Sequence, residues 1–461
     1  MNEFARRPVR PEHLRGARHL RSHMTGGCSR RCQHPPRTAM WELLSANSAD
    51  CVVPLPREQI RASDPCRPGN PYLRTTMTDQ LIAKLAGLGL FTGAPQHDNF
   101  CRLASVLPAS ELTPSSTPYE WPAGATIALP ETYEFAGTSK SFEDFFVETD
   151  TAALLVLVEG VVRHERYALT GGPDVPWISM SVAKSFISTL VGIAVAEGHI
   201  TNIDDPISAY VPVDPGSAYD GVPIKAVLQM SSGARWNEDY HDPESDVFRL
   251  NAAMGGIGTL DEFVAGVVRE NEPGTICRYN SGDTQVLGSL LVRATNRSIT
   301  DYMQEKLYEP LGMTSPGHWL VDSAGMEVAF AGLNMTARDF AKLGELYRNV
   351  GRWQGKQIVP EEWVRNSVVL SGTHLQPGQP IVGTHRFDLG YGYQWWIPAG
   401  NRGEFSAIGV YNQFVYVDPS TNAVIVKLSA NRAYGTTDSE STNRESETVA
   451  FLQSITSRLR D

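Results

Sequence analysis

Ser181-Val182-Ala183-Lys184 sets a hydroxyl and an amine three residues apart at the start of a long apolar run, "SVAKSFISTLVGIAVAE", which stops at Gly198. At that spacing the two side chains share one face of a helix, one turn apart. A serine opening a buried helix lies where backbone N–H groups are unpaired and the helix dipole is positive, which favours an alkoxide or an oxyanion. A buried lysine must lose proton affinity or find polar partners, because burial disfavours the ammonium. The chemistry open to this pair is nucleophilic catalysis, with Ser181 attacking and Lys184 helping to take its proton. The chain has 8 lysines and 35 serines in 461 residues, so about 0.6 of a pair at this spacing is expected by chance, and one is found. A capping serine beside a lysine that reaches water is the structural alternative, and the setting has to decide.

A second pair lies in "CRYNSGDTQVLGSLL", where Tyr279 and Ser281 stand two apart just before a helical pattern. Ser281 or Asp283 can cap that helix, and both Tyr279 and Ser281 can point from one loop into a cleft. A phenol beside a lysine is a candidate general base, since the cation lowers its pKa. The alternative here is a packed tyrosine and a capping serine.

These residues need elements to hold them. "TAALLVLVEG" and "VVRHERYAL" predict two strands around a turn at Gly160, the first apolar throughout and the second alternating. The Ser181–Glu197 run predicts a buried helix with a glycine terminator. From about 201 to 379 helical patterns dominate, among them "ITDYMQEKLYEPLGM" and "TARDFAKLGELYRNV". Strand chemistry returns in "LGYGYQWWIP", "EFSAIGVYNQFVYVDP" and "NAVIVKLSAN", before a last helix. Both ends of the ordered chain therefore contribute to one sheet, interrupted by helices. "MTDQLIAKLAGLGLF" predicts a short amphipathic helix from Met77. "YGYQWW" can line an apolar acyl pocket, although core packing is the preferred reading for strand aromatics.

Composition bounds the partners. The formal charge is -11, but residues 1 to 76 hold 13 Arg and no Lys against 6 acids, which leaves the rest strongly acidic. An acidic body repels nucleic acid and anionic membrane, and a neutral or cationic small molecule suits it. Residues 1 to 76 are rich in Arg, Pro and Ser and are expected to be disordered, or to precede the working start at Met77; an Arg-rich transit peptide is the rival reading. Cys28, Cys32 and His34 have a loosely metal-like spacing in a run without periodicity, so neither a metal nor a cofactor is expected. No apolar stretch reaches membrane-span length, and a cytoplasmic location is expected. The sequence sets no oligomeric state. It contains no Gly-x-Ser-x-Gly, which argues against a Ser-His-Asp hydrolase.

Taken in order, Ser181-x-x-Lys184 after a hairpin, Tyr279-x-Ser281 leading into "VLGSLL", "VLQMSSGARWNEDY", and the closing "YGYQWW" and "GVYNQFVYVDPSTNAVIVKLSAN" resemble the serine β-lactamase and penicillin-binding-protein superfamily over nearly all of residues 100 to 461. The resemblance implies an α/β (α+β) fold of the β-lactamase/transpeptidase type. A mostly antiparallel sheet with flanking helices (about 77–200 and 380–461) would carry an all-α subdomain (about 201–379). It implies an acyl-enzyme on Ser181, proton transfer by Lys184 and Tyr279, and an oxyanion hole from the backbone N–H groups of Ser181 and Val410. Two departures select a branch. The Lys-Thr-Gly strand of penicillin-recognising enzymes is replaced by Ala407-Ile408-Gly409, and Tyr-x-Asn of class C enzymes by Tyr-x-Ser. Both weaken β-lactam recognition and make the chain more similar to family VIII carboxylesterases and 6-aminohexanoate-dimer hydrolases. That likeness implies a small ester or linear amide substrate, contacted by Tyr240, Asp246, Ser281 and Gly409. β-Lactamase or D-amino-acid peptidase activity, and a non-catalytic binding relative, stay open as alternatives.

Overall fold

The described chain, residues 71–383 and 385–460 of a computed structural model, begins with helix α1 (Pro71–Gly87) and strand β1 (Ala109–Leu112). The Cys28, Cys32 and His34 group, and all but the last few residues of the segment expected to be disordered, lie outside it. Helix α1 starts before Met77 and stops at Gly87, so Phe91, expected to be helical, instead sits in a turn at φ 60°.

Strands β2 (Thr151–Val158) and β3 (Val161–Tyr167) form the expected hairpin, paired antiparallel outward from Val158 and Val161. Glu159 and Gly160 turn it at φ 54° and 72°, the left-handed pair that suits the twist of a two-residue hairpin. Strand β4 (Trp177–Ile178) leads through a 3-10 turn at Met180–Val182 into helix α2 (Ala183–Ala196), buried from Ala183 to Ala194. Gly198, at φ 77°, terminates it as expected.

The helical region supplies α3 (Asp246–Met254), α4 (Ser281–Thr295) and α5 (Ala337–Arg348). Residues 201–379, expected to be all-α, also carry strands β5 (Gly317–Leu320) and β6 (Leu333–Met335). These two pair with β1 and β4 in a four-stranded antiparallel sheet, order β1-β5-β6-β4. The departure has a local cause: each strand is only a few residues long, too short for a period-two pattern to show against the helical background.

The chain closes with β7 (Leu389–Tyr391), β8 (Trp396–Pro398), β9 (Phe405–Gly409), β10 (Gln413–Asp418), β11 (Ala423–Ser429) and helix α6 (Glu445–Ser457). The main sheet has seven strands, order β7-β8-β9-β10-β11-β2-β3, every neighbour antiparallel. The N-terminal hairpin is thus stitched to the C-terminal meander through β11 and β2.

The apolar run of β2 reads continuously because both faces of the sheet are covered. Leu155 and Leu157 enter one apolar cluster with Val415, Val417, Val424 and Val426, while Leu154 and Val156 enter the other with Phe414, Tyr416 and Ile425. Each fully buried Val or Leu contributes roughly 1.5–3 kcal/mol. Helix α5 lies on the first of these faces, and there Gly344 lets the helix approach: a Cβ would stand 2.6 Å from a Val424 methyl and 3.0 Å from Val415.

Gly344→Val is therefore expected to overpack the helix–sheet contact and cost about 1–3 kcal/mol. Denaturant unfolding followed by circular dichroism checks it, and a midpoint equal to that of the parent would show that the contact is slack.

Candidate active site

Three elements converge on Lys184. Helix α2 carries it, α4 packs alongside α2 and brings Ser281, and the loop before β6 brings the Phe330 carbonyl. Its Nζ donates to Ser181 Oγ at 2.9 Å, to Phe330 O at 2.9 Å and to Ser281 Oγ at 3.2 Å. The side chain is 1% exposed, so it does not reach water as the structural alternative required. Burial pulls its pKa down to about 7, with the Glu238 carboxylate acting the other way. The ammonium also stands 5.0 Å from the centroid of the Tyr279 ring.

Ser181 lies in the tight turn ahead of α2, and the turn is strained: Met180 has φ 45°, a region that a side chain with a Cβ rarely adopts. The turn is fastened from outside by Ser179 N–H donating to Leu333 O at 2.7 Å. Strand β9 ends directly against it. At Gly409 a Cβ would fall 2.8 Å from Ser179 O and 2.9 Å from Ser181 N, so only glycine allows this approach. Val410 follows at the rim of the same cavity.

Tyr279 is 6% exposed, stacked on Trp396 at 5.2 Å and edge-on to Tyr391 at 5.9 Å. "YGYQWW" therefore divides. Trp396 lines the cavity, whereas Trp395 packs in the core against Tyr347 and Phe405. One expectation about Tyr279 is corrected. Its pKa is not lowered by Lys184; burial first, and then Glu238, push it well above the ordinary value, with the Ser181 hydroxyl opposing. Tyr279 is thus built to keep its proton, and Lys184 is the group better able to accept one.

The helix cap is also corrected. Asn280, not Ser281 or Asp283, caps α4, its Oδ1 accepting from the N–H groups of Gly282 at 2.8 Å and Asp283 at 3.2 Å. Ser281, freed from capping and 1% exposed, lies between Lys184 and Glu238 rather than on the cavity wall where substrate contact was expected.

Glu238 is the residue that sequence reasoning missed. It is 4% exposed and accepts from Ser281 Oγ at 2.5 Å, Ser281 N–H at 3.0 Å, Tyr240 Oη at 2.8 Å and the Trp236 indole N–H. The available signal was the alternation in "WNEDY": Trp236, Glu238 and Tyr240 share one face of an extended segment while Asn237 and Asp239 are exposed. Asp246, expected to contact substrate, does not line the cavity. It opens α3, accepts from Asn237 N–H at 2.9 Å and pairs with Arg249.

The cavity holds about 740 Å³ and is lined by Ser181, Tyr279, Tyr240, Gly409 and Val410 among others. Seven carboxylates face it, Glu134, Glu238, Asp239, Asp388, Asp438, Glu440 and Glu445, against a single guanidinium, Arg386. Its field suits neutral or cationic molecules. Ile408 and Gly409, at the end of β9, line the cavity with neither a cation nor a hydroxyl. Among the described residues no group of three or more His, Cys, Asp or Glu side chains is arranged to hold a metal, and no helix is long and apolar enough to cross a membrane.

Comparison with known proteins points the same way. The family profile described as Beta-lactamase matches residues 141–450. The 6-aminohexanoate-dimer hydrolase of Paenarthrobacter ureafaciens is 33% identical over 341 residues, which cover 72% of this chain and 84% of that protein. Among solved structures, a Bacillus anthracis protein assigned as a 6-aminohexanoate-dimer hydrolase superposes with a TM-score of 0.70 at 21% identity, covering 79% of this chain and 94% of its own. A family VIII carboxylesterase superposes with a TM-score of 0.51 at 14% identity, covering 69% and 95%. At these identities the two structures speak to the fold alone.

Gly409→Ala is expected to push β9 off the Ser181 turn and lower kcat on the order of 10²-fold, the scale of an ångström-sized misplacement. Steady-state kinetics on a p-nitrophenyl ester, with a thermal melt beside them, check it; parent-like kcat would mean that the approach of β9 to Ser181 does not matter.

Proposed function

This chain belongs to the beta-lactamase family, and from that premise we propose that it is a serine hydrolase that cleaves small carboxylic esters or linear amides through an acyl-enzyme on Ser181. The observation that carries the proposal is the 2.9 Å contact between Ser181 Oγ and a lysine amine whose pKa burial has brought to about 7. Near neutral pH much of Lys184 is uncharged and can take the serine proton as Oγ forms its bond to the substrate carbonyl carbon. The carbonyl oxygen becomes an oxyanion and turns toward the N–H groups of Ser181 and Val410, at the start of α2 and the end of β9. Collapse of that intermediate breaks the bond to the leaving group, which needs a proton. Tyr279, held protonated beside Ser181, supplies it and is recharged from the Lys184 ammonium. Water then attacks the acyl-enzyme, giving up its proton through the same two groups and releasing the acid.

The wall of carboxylates favours substrates without a negative charge near the rim, and a linear amide carrying a free amino group fits it. The similarity to a 6-aminohexanoate-dimer hydrolase supports that class. The replacement of a Lys-Thr-Gly strand by Ala407-Ile408-Gly409 counts against substrates that need a carboxylate anchor there.

Incubation with a fluorophosphonate followed by intact-mass and peptide mapping should give one adduct, on Ser181, and none in Ser181→Ala; an adduct on another serine would remove Ser181 from the mechanism. Tyr279→Phe should lower kcat on the order of 10²-fold or more, because it removes the phenol proposed to protonate the leaving group, and a loss under about threefold would assign that proton to another group. The pH profile follows from the sign of the Lys184 shift. The amine is active when neutral, so kcat/KM should climb as pH rises through about 7. A profile flat from pH 6 to 8 would show that Lys184 is not the base.

A further inference from the structure

Glu238 is buried 4% exposed beneath the Ser181 end of the cavity, and no step above uses it. Its four donors come from two directions: Ser281, through hydroxyl and N–H, from the start of α4, and Trp236 and Tyr240 from its own extended loop. Ser281 Oγ donates to Glu238 and accepts from Lys184 Nζ, so one hydroxyl joins the carboxylate to the amine. We propose that Glu238 is a positioning residue for the hydrolytic reaction, fixing Lys184 through Ser281 and setting the charge state in which the Ser181–Lys184 pair rests. The inference rests on the proposed role of Lys184 as the base.

Two opposed effects act on Lys184. Burial lowers its proton affinity, and the nearby negative charge restores part of it, leaving the amine poised near neutrality. A base matched to the working pH is the most effective one, so the carboxylate's distance is a tuning parameter. The geometry excludes a direct ion pair as the means. Every hydrogen bond that Lys184 donates goes to a neutral oxygen, of Ser181, Ser281 or Phe330, while Glu238 acts from one hydroxyl further away. An ammonium locked directly onto a carboxylate would hold its proton and fail as a base.

The other titratable groups facing this pair are Tyr279, Tyr240, Tyr391 and Tyr434, all held protonated, with Glu445 beyond Tyr279 and Asp283 on α4. Asp283 is pushed up to about 7 by burial and so titrates in the same range. A rate profile alone would mix the two, and the readout has to be Lys184 itself.

With only 8 lysines in the chain, protein labelled with 13C at the lysine ε-carbon gives few resonances, and Lys184 is identified by its loss in Lys184→Met. Glu238→Gln keeps the shape and can still be satisfied, its carbonyl facing the two N–H donors and its NH₂ the two hydroxyls. The Lys184 titration should move to lower pH by about one to two units, the scale of one charge lost at this separation with an effective dielectric near 20. The acid limb of kcat/KM should move with it. Glu238→Asp, which keeps the charge, should restore most of the shift, and Glu244→Gln, a change on the exposed part of the same loop, should produce none. Tyr240→Phe removes one donor from the carboxylate, leaves its charge less satisfied and should move Lys184 the opposite way, to higher pH. That variant carries the test should Glu238→Gln not fold, and a merely structural disturbance would not produce opposite signs. A Lys184 titration that coincides in wild type and Glu238→Gln, or in wild type and Tyr240→Phe where the former is unfolded, overturns the proposal. Failure of the hydrolase reading looks different: no turnover and no Ser181 adduct, with the lysine titration still measurable.

Discussion

Everything at the Ser181 end of the molecule depends on one lysine taken out of water. Bringing the Lys184 amine from its ordinary pKa to about 7 represents on the order of 5 kcal/mol of disfavoured charge, comparable to a domain's whole net stability. The fold meets that cost by letting the amine rest partly neutral and by giving it three oxygens and an aromatic face. Most of these partners are not local. Ser281 arrives on α4, Phe330 on the approach to β6, and only Ser181 belongs to the same turn of chain. The packing of α2 against α4 and the fastening of Ser179 to β6 are therefore conditions for the chemistry as much as for stability.

The main sheet imposes a second condition from the other side. β9 must end within contact of the Ser181 turn, and only a residue without a Cβ permits it at Gly409. Beyond Val410 the chain turns through Tyr411 and Asn412, both at positive φ, before entering β10. Phe91, itself at φ 60°, wedges here: its ring stacks on Tyr411 at 5.1 Å and on Tyr240 at 4.9 Å, and its N–H donates to the Tyr411 hydroxyl at 2.9 Å. One aromatic from the N-terminal segment thus braces the loop after β9 and the loop that carries Glu238. Strained conformers of this kind persist only where the surroundings over-determine them, and here they flank the cavity.

What the sequence made legible follows from range. The hairpin, the buried helix and its glycine stop are set by neighbours within a few residues, and periodicity reported them. Ser181 and Lys184 are three residues apart, across a 3-10 turn and the first turn of α2, so spacing suggested their contact and the burial of the lysine decided it. Ser281, Asp246 and Glu238 were not deducible in this way. Each is a short polar residue near a helix start or in a loop, where the local pattern offers capping, solvent exposure and site roles equally. Asn280 took the cap because its own side chain reaches two N–H groups, which released Ser281 for the interior; Asp246 did the reverse and spent its carboxylate on Asn237. Only the partner on a distant element separates such cases. The four short strands of the second sheet escaped for a different reason, since two to four residues cannot express an alternation.

The same long-range logic explains why Lys184 and Tyr279 shift in opposite directions. Lys184 and Tyr279 lie in one electrostatic environment, yet burial drives their pKa values in opposite directions, because it disfavours the charged form of each: the cation of the amine and the anion of the phenol. Glu238 then acts on both with one sign, raising the proton affinity of the lysine and of the tyrosine together. For the amine this counteracts burial and returns it toward neutrality; for the phenol it adds to burial and fixes the proton in place. A single buried carboxylate, placed one hydroxyl away from the amine, therefore raises the proton affinity of both groups, opposing burial at the lysine and reinforcing it at the tyrosine. A serine attack followed by departure of an amine or alkoxide needs a base that is free of its proton and an acid that still has one, the two states that the proposed roles of Lys184 and Tyr279 require.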